Sequence, residues 1–189
     1  LKIALIGCGG WGKNIARNLH QIGALACIYD TDKNLSKKLN QDFKSHGYTI
    51  NDIFKNENIQ ALVIASSAKT HRDIAEEALK NNKDVLIEKP FCLSLNDAIT
   101  LSKLAIKKNK VLMAGHLLNY HNAFIKMQDL IREGKIGETK NIRAQRLALG
   151  AIRSHESVIY DLAVHDISMI LAIMQELPVK INAHSIHHN

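Results

Sequence analysis

Residues 7–12 read Gly-Cys-Gly-Gly-Trp-Gly, a G-x-G-x-x-G run whose chemistry follows from what its glycines lack. Gly7 permits a tight turn, Gly9 lets the backbone approach a pyrophosphate, and Gly12 lets a helix pack closely on a strand. The phosphates would rest on the N-terminal amides of the Trp11–Ile22 helix, next to Gly10, where the dipole favours negative charge. Asp30 stands eighteen residues after Gly12, at the end of the second apolar run, where an acid accepts hydrogen bonds from an adenosine ribose. Its carboxylate would repel a ribose 2′-phosphate, so the expected cofactor is NAD, with NADP less favoured although Lys33 is near in sequence. A glycine turn that holds nothing is the competing reading. Strand, helix and acid together weigh against it.

Glu88-Lys89-Pro90 follows the apolar run Asp84–Ile87. That places it at the carboxyl end of a strand, where open α/β sheets bind their ligands. Pro90 biases Lys89 toward an extended backbone and makes a cis bond accessible. A lysine held there can donate to a substrate hydroxyl and favour its alkoxide; a solvated loop lysine is the alternative. Asp161 and His165 are four apart on an expected helix and so share a face. A histidine near neutral pKa can take a hydroxyl proton as hydride leaves the carbon, whereas an ion pair on a helix surface needs the same spacing. His184, His187 and His188 lack Cys or acidic companions and read as a polar tail, so no metal is expected. Cys8 and Cys92 flank the proposed site but read as packed thiols rather than nucleophiles. No G-x-S-x-G elbow or Walker loop occurs, which argues against the usual hydrolase and NTPase chemistries.

Positioning these residues requires alternating elements. Lys2–Ile6, Ala26–Asp30, Ala61–Ala65, Asp84–Ile87 and Val111–Ala114 are short apolar runs suited to buried parallel strands. Between them Trp11–Ile22, Lys33–Ser45, Thr70–Asn81 and Leu95–Lys108 carry apolar residues at helical spacing, with Thr70 and Asp73 as an expected capping box. Such alternation predicts a doubly wound α/β sheet with right-handed crossovers, a Rossmann domain over 1–118. After Gly115 the pattern changes. A helix over Asn122–Glu133, a β-leaning run over Lys140–Leu149, a helix over Val158–Met174 and a last strand over Val179–Ser185 are expected in 119–189. About 70 residues are few for an independent core.

Composition narrows the classes. Twenty-five Lys and Arg against eighteen Asp and Glu leave +7 over 189 residues, yet the lysines are scattered along helices and aromatic residues are few. A nucleic-acid platform is therefore not expected. No window approaches the roughly 18 uninterrupted apolar residues of a membrane span, and Ile3–Ile6 has no basic leader of a signal peptide. Three cysteines without paired spacing suit a reducing compartment, and a cytoplasmic setting is expected.

Taken together and in this order, Gly7–Gly12, Asp30, Thr70-His71, Glu88-Lys89-Pro90, Gly115-His116 and Asp161-x-x-x-His165 resemble the glucose–fructose oxidoreductase/inositol dehydrogenase family, Gfo/Idh/MocA. The resemblance implies a Rossmann domain holding NAD(P) and a second α/β domain, of the dihydrodipicolinate-reductase-like type, whose broad sheet covers a sugar. It implies Lys89, Asp161 and His165 as the catalytic group, which also touches substrate, with Ser66, His71, Glu88, Lys89 and His116 near the cofactor. Gly9–Asn14, Gly115–His121, Arg146–Gly150 and Tyr160–Leu171 are similar to the branch acting on nucleotide sugars such as UDP-N-acetylglucosamine. Ser67, Asn122, Tyr160 and Val164 depart from that branch's pattern. Arg146 and Arg153 could meet its diphosphate through the planar guanidinium fork. A sheet with only two strands would leave an unpaired edge, so truncation or a homo-oligomer is expected.

Overall fold

The computed structural model describes residues 1–147 and 157–184. The chain divides into two compact units, Leu1–Gly115 and His116–Asn189. The first carries a five-stranded parallel sheet in the order β2-β1-β3-β4-β5, built from β1 (Ile3–Ile6), β2 (Leu25–Tyr29), β3 (Ala61–Ile64), β4 (Asp84–Ile87) and β5 (Leu112–Ala114). It is the doubly wound α/β sheet that the alternating pattern implies.

Side chains alternate across this sheet with a period of two, so each strand feeds two apolar layers. Ala4 and Ile6 of β1 join Leu62, Ile64, Val85 and Ile87 on one face. That layer is closed by Ala75, Ala78 and Leu79 of α4 (residues 68–80) and by Leu101 and Ala105 of α5 (residues 95–108). Leu5 faces the other way, toward Ile28, Val63, Ala16 and Leu19, the last two on α1 (residues 10–21). Helices α2 (residues 33–42) and α3 (residues 50–55) lie between β2 and β3 in sequence.

The capping box expected at Thr70 and Asp73 is found elsewhere, and helix ends shift by a few residues, α2 ending at Asp42 rather than Ser45. Helix α4 starts at Ala68 with Ser67 as its N-cap, and the Thr70 hydroxyl donates back to the Ser67 carbonyl at 2.8 Å. Thr70 therefore lies inside the first turn and forms no capping box with Asp73. The reciprocal box belongs to Thr49 and Asp52 at the start of α3, a helix the apolar spacing does not reveal because it is only six residues long.

Strand β2 is an edge, and its free backbone groups are covered by polar atoms. The Asn40 amide accepts from Ile28 N at 2.9 Å and donates to Ile28 O at 2.8 Å and Ser36 O at 2.9 Å. His46 N donates to Ala26 O at 3.1 Å beside an isolated Cys27–His46 bridge. Asn40 is buried. It performs the pairing that another strand would otherwise supply.

The second unit holds a 3-10 turn at Leu117–Tyr120, α6 (residues 122–132), a π-helical turn at Ile159–Ala163 and α7 (residues 164–174). Ser168 Oγ lies 3.5 Å from Asn119 Oδ1, and Gln128 Nε2 donates to Ala172 O at 3.3 Å. The expected strands do not form among the described residues: 140–147 and 179–184 have no ladder partner. Leu147, Val179 and Ile181 are exposed, and among the described residues neither run has a neighbouring strand to pair with. The remainder of those two runs, 148–149 and 185, lies outside the described residues. Among the described residues no helix is long and apolar enough to cross a membrane.

Replacing Asn40 by Leu leaves Ile28 N and O without the amide in a buried edge. Equilibrium urea denaturation should register a loss of about 2–4 kcal/mol. A change below about 0.5 kcal/mol would show that the edge does not need it.

Candidate cofactor and catalytic site

The strand order reverses between β1 and β3, and the carboxyl ends of these two strands form the crevice where doubly wound sheets take ligands. Gly7 leaves β1 with φ +90°. A Cβ there would stand 2.5 Å from Ser66 N and 2.6 Å from the Ala65 carbonyl carbon. A Cβ on Gly12 would collide with Gly7 O, so the helix and the turn touch backbone to backbone. Gly9 and Gly10 are the opposite case, with nothing within 4 Å of an added Cβ. Two glycines thus serve the packing, and two keep open space in front of α1. The N-cap of α1 is Gly9, with no side chain capping the first amides. Open space over uncapped amides is what a pyrophosphate needs. The residues present fit a dinucleotide.

Asp30 follows β2 and faces this turn. Its Oδ2 accepts from Cys8 N at 2.7 Å and Oδ1 from Asp32 N at 2.9 Å. Burial pushes this carboxyl up, but the hydrogen bonds from Cys8, Asp32 and Thr31 outweigh it and hold it below its ordinary value. The acid is ionised near neutral pH and fastens the glycine turn to β2. Beside it a cavity of about 750 Å³ is lined by Tyr29, Asp30, Lys33, Lys37, Asn40 and Lys44 among others. The Cys8 thiol is pushed up to about 12 by burial and by its contact with Asp30, which suits the packed-thiol reading.

Across the crevice, Glu88 is the hub of the turn after β4. Trp11 Nε1 donates to Glu88 Oε1 at 2.9 Å, and Lys89 N lies 3.2 Å from Glu88 Oε2. A Cβ on Gly115 would sit 3.1 Å from Glu88 Cα, so the chain after β5 also presses on this residue. The Lys89–Pro90 bond is cis. Ser66 Oγ bonds Thr70 Oγ1 at 2.8 Å. His71 is buried, with Nδ1 2.9 Å from Pro90 O and Nε2 3.1 Å from Ser66 O. Both ring nitrogens face backbone carbonyls of the two loops. The Trp11–Glu88 bond is a link the sequence reading missed; its signal is a lone tryptophan inside the glycine run and an acid at the end of β4.

The second unit carries the other expected residues. His116 precedes the 3-10 turn and His165 is buried on α7. Asp161 lies in the π turn rather than in an α-helix; π turns inserted in helices occur often at functional sites. Arg146 has a different partner from the one expected. Its Nε and Nη2 form a two-point bond to Asp166, both at 2.8 Å, and the pair holds Asp166 below the usual carboxylate range. A diphosphate would have to displace Asp166 from that edge of the guanidinium. Arg153, His187 and His188 lie outside the described residues. Among the described residues no group of three metal-ligating side chains gathers.

Residues 1–116 match the family model described as the oxidoreductase family, NAD-binding Rossmann fold. The chain belongs to the Gfo/Idh/MocA family. It is 28% identical over 184 residues to the UDP-N-acetylglucosamine 3-dehydrogenase of Acidithiobacillus ferrooxidans, covering 97% of this chain and 57% of that protein. It is 27% identical over 150 residues to the 2,7-anhydro-N-acetylneuraminate hydratase of Escherichia coli, covering 77% of this chain and 40% of that protein. A crystal structure of the Acidithiobacillus enzyme superposes with a TM-score of 0.85 at 26% identity, over 98% of this chain and 61% of that one. A Sinorhizobium meliloti structure described as a putative myo-inositol dehydrogenase shares the fold at a TM-score of 0.83 and 22% identity, over 95% of this chain and 56% of that one. The chain spans about half the length of the curated relatives it matches.

The glycines separate packing from binding. Gly12→Ala should lower the melting temperature by several degrees, because its Cβ meets Gly7 O, in keeping with the ~4–8 °C per kcal/mol of a domain this size. Gly9→Ala should melt with the wild type yet weaken NAD binding by about tenfold or more, as a methyl group enters the open space before the amides. Calorimetric titration together with thermal melts checks both, and equal NAD affinity in Gly9→Ala would contradict the assignment.

Proposed function

We propose that this chain acts in an NAD-dependent oxidoreductase that oxidises a secondary alcohol of a sugar or polyol. The finer reading is a nucleotide sugar of the UDP-N-acetylglucosamine kind, oxidised at C3. The observation that carries it is the joint fastening of the glycine turn and the Glu88-Lys89-Pro90 turn at the carboxyl ends of β1 and β4, through Trp11 and Glu88. A cofactor turn and a lysine-bearing turn tied together give a hydroxyl a fixed place beside the dinucleotide. The relatives named above support the substrate class, and the Acidithiobacillus enzyme supports the nucleotide sugar.

NAD, when bound, supplies the hydride acceptor. The chain's residues handle the oxygen and its proton. Lys89 Nζ donates to the hydroxyl oxygen and stabilises negative charge as it develops there. The His165 imidazole takes the hydroxyl proton, so the carbon loses a hydride, the oxygen loses a proton, and a ketone forms. Asp161 orients that imidazole or holds a neighbouring hydroxyl. Asp30 would meet the adenosine ribose, where its charge would favour NAD over NADP. Arg153 is the guanidinium left for the diphosphate, since Arg146 is engaged by Asp166.

The test follows NADH absorbance with the full-length protein across UDP-sugars, free sugars and inositols. UDP-N-acetylglucosamine should give the highest kcat/KM, because the remote nucleotide helps position the ring. Lys89→Met and His165→Asn should each lower kcat by about a hundredfold or more with NAD affinity nearly unchanged. A free sugar or inositol that matches the nucleotide sugar would overturn the substrate while keeping the chemistry. Binding of NAD and sugar without NADH from any of them would instead make the protein a ligand-binding regulator of the same fold.

A further inference from the structure

His71 lies in the middle of a closed circuit of contacts. Gly7 abuts Ser66 backbone to backbone, and Ser66 O faces His71 Nε2 at 3.1 Å. His71 Nδ1 faces Pro90 O at 2.9 Å. Pro90, Lys89 and Glu88 are consecutive, and Glu88 is bound by Trp11, which neighbours Gly12 against Gly7. The circuit holds Lys89 on both flanks, by Trp11 through Glu88 and by His71 through Pro90. His71 is 1% exposed, so water cannot replace its contact with Pro90 O without opening the core. A helix residue that only filled space here would be apolar, like Ala75 and Leu79 on the same helix. Imidazole is instead the side chain that presents two polar atoms on opposite edges of a rigid ring, at a span that reaches two separate loops.

We propose that His71 is a positioning residue for Lys89: it ties the turn after β4 to the turn after β3, and so fixes where Lys89 stands relative to the cofactor turn. The inference rests on the role given to Lys89 above. It requires Nδ1 to carry a proton, because Pro90 O can only accept. Ser66 O can only accept as well, so a neutral ring donates to Pro90 alone, and the link back to the turn after β3 is the first turn of α4 that carries His71. It also requires the tie to act on turnover rather than on cofactor affinity, since both ring nitrogens face backbone carbonyls.

Two measurements test it. In nitrogen-15 histidine spectra of the full-length protein, the signal lost in His71→Leu should show a protonated Nδ1 near neutral pH. An unprotonated Nδ1 would remove the tie and overturn the proposal. In kinetics, His71→Leu should lose about ten- to a hundredfold in kcat, the cost of a displacement on the order of 1 Å. The NAD dissociation constant should stay within about twofold. His71→Gln, which keeps an N–H donor, should recover part of the loss and guards against a Leu variant that fails to fold. Folded variants with wild-type kcat, or with kcat unchanged and NAD affinity reduced, would overturn the proposal. If the wild type itself gives no turnover, the role of Lys89 falls, and the ring-nitrogen signal alone decides whether His71 holds the Pro90 turn.

Discussion

No side chain fits between the turn after β1 and the backbone of Ala65–Ser66, or between that turn and α1. Gly7 meets the first and Gly12 the second, and both contacts are backbone on backbone. This close approach determines the rest of the first unit. It brings the carboxyl ends of β1 and β3 together, points the uncapped amides of α1 into the crevice, and gives Ser66 a fixed surface against which to rest. From Ser66 the fixed geometry passes to His71, from His71 to Pro90, and from the other side to Glu88 through Trp11. Positions that would hold a dinucleotide and the lysine expected to face a substrate are thus set by one steric constraint at the switch point of the sheet.

Electrostatics reinforces the same geometry. The Asp30 carboxylate is partly buried, which opposes its charge, yet amide hydrogen bonds from the turn keep it ionised. An acid anchored this way fastens the glycine turn to β2. Lys33, Lys37 and Lys44 line the adjoining cavity. The sheet edge that carries Asp30 is itself stabilised by Asn40, so the buried amide and the cofactor turn are linked through β2.

The five strands, four of the helices and the glycine turn of the first unit were legible because their signals are local: short apolar runs, helical spacing, and glycines at fixed offsets. Asp30 was legible for the same reason. What sequence could not show lay in partners distant along the chain. The Trp11–Glu88 bond joins residues 77 apart, and the His71 ring contacts a carbonyl 19 positions away. Arg146 looked available for phosphate because nothing local announces Asp166, twenty positions on. Thr70 and Asp73 have the spacing of a capping box, but Ser67 starts the helix three residues earlier. The strands expected over 140–149 and 179–185 failed among the described residues because β-propensity forms a strand only where a neighbour pairs with it. Asp161 and His165 are spaced as for an α-helix, and the π turn that holds Asp161 has no simple local signature.

The central claim is that this crevice supports hydride transfer from a carbinol carbon to a nicotinamide. Its most direct test is an isotope experiment with the full-length protein, NAD and UDP-N-acetylglucosamine deuterated at C3. The account predicts that the recovered cofactor carries the deuterium, with the label lost from the sugar in equal amount. NAD that binds and returns unlabelled from this sugar, and equally from free sugars and inositols deuterated at their carbinol carbons, would contradict it.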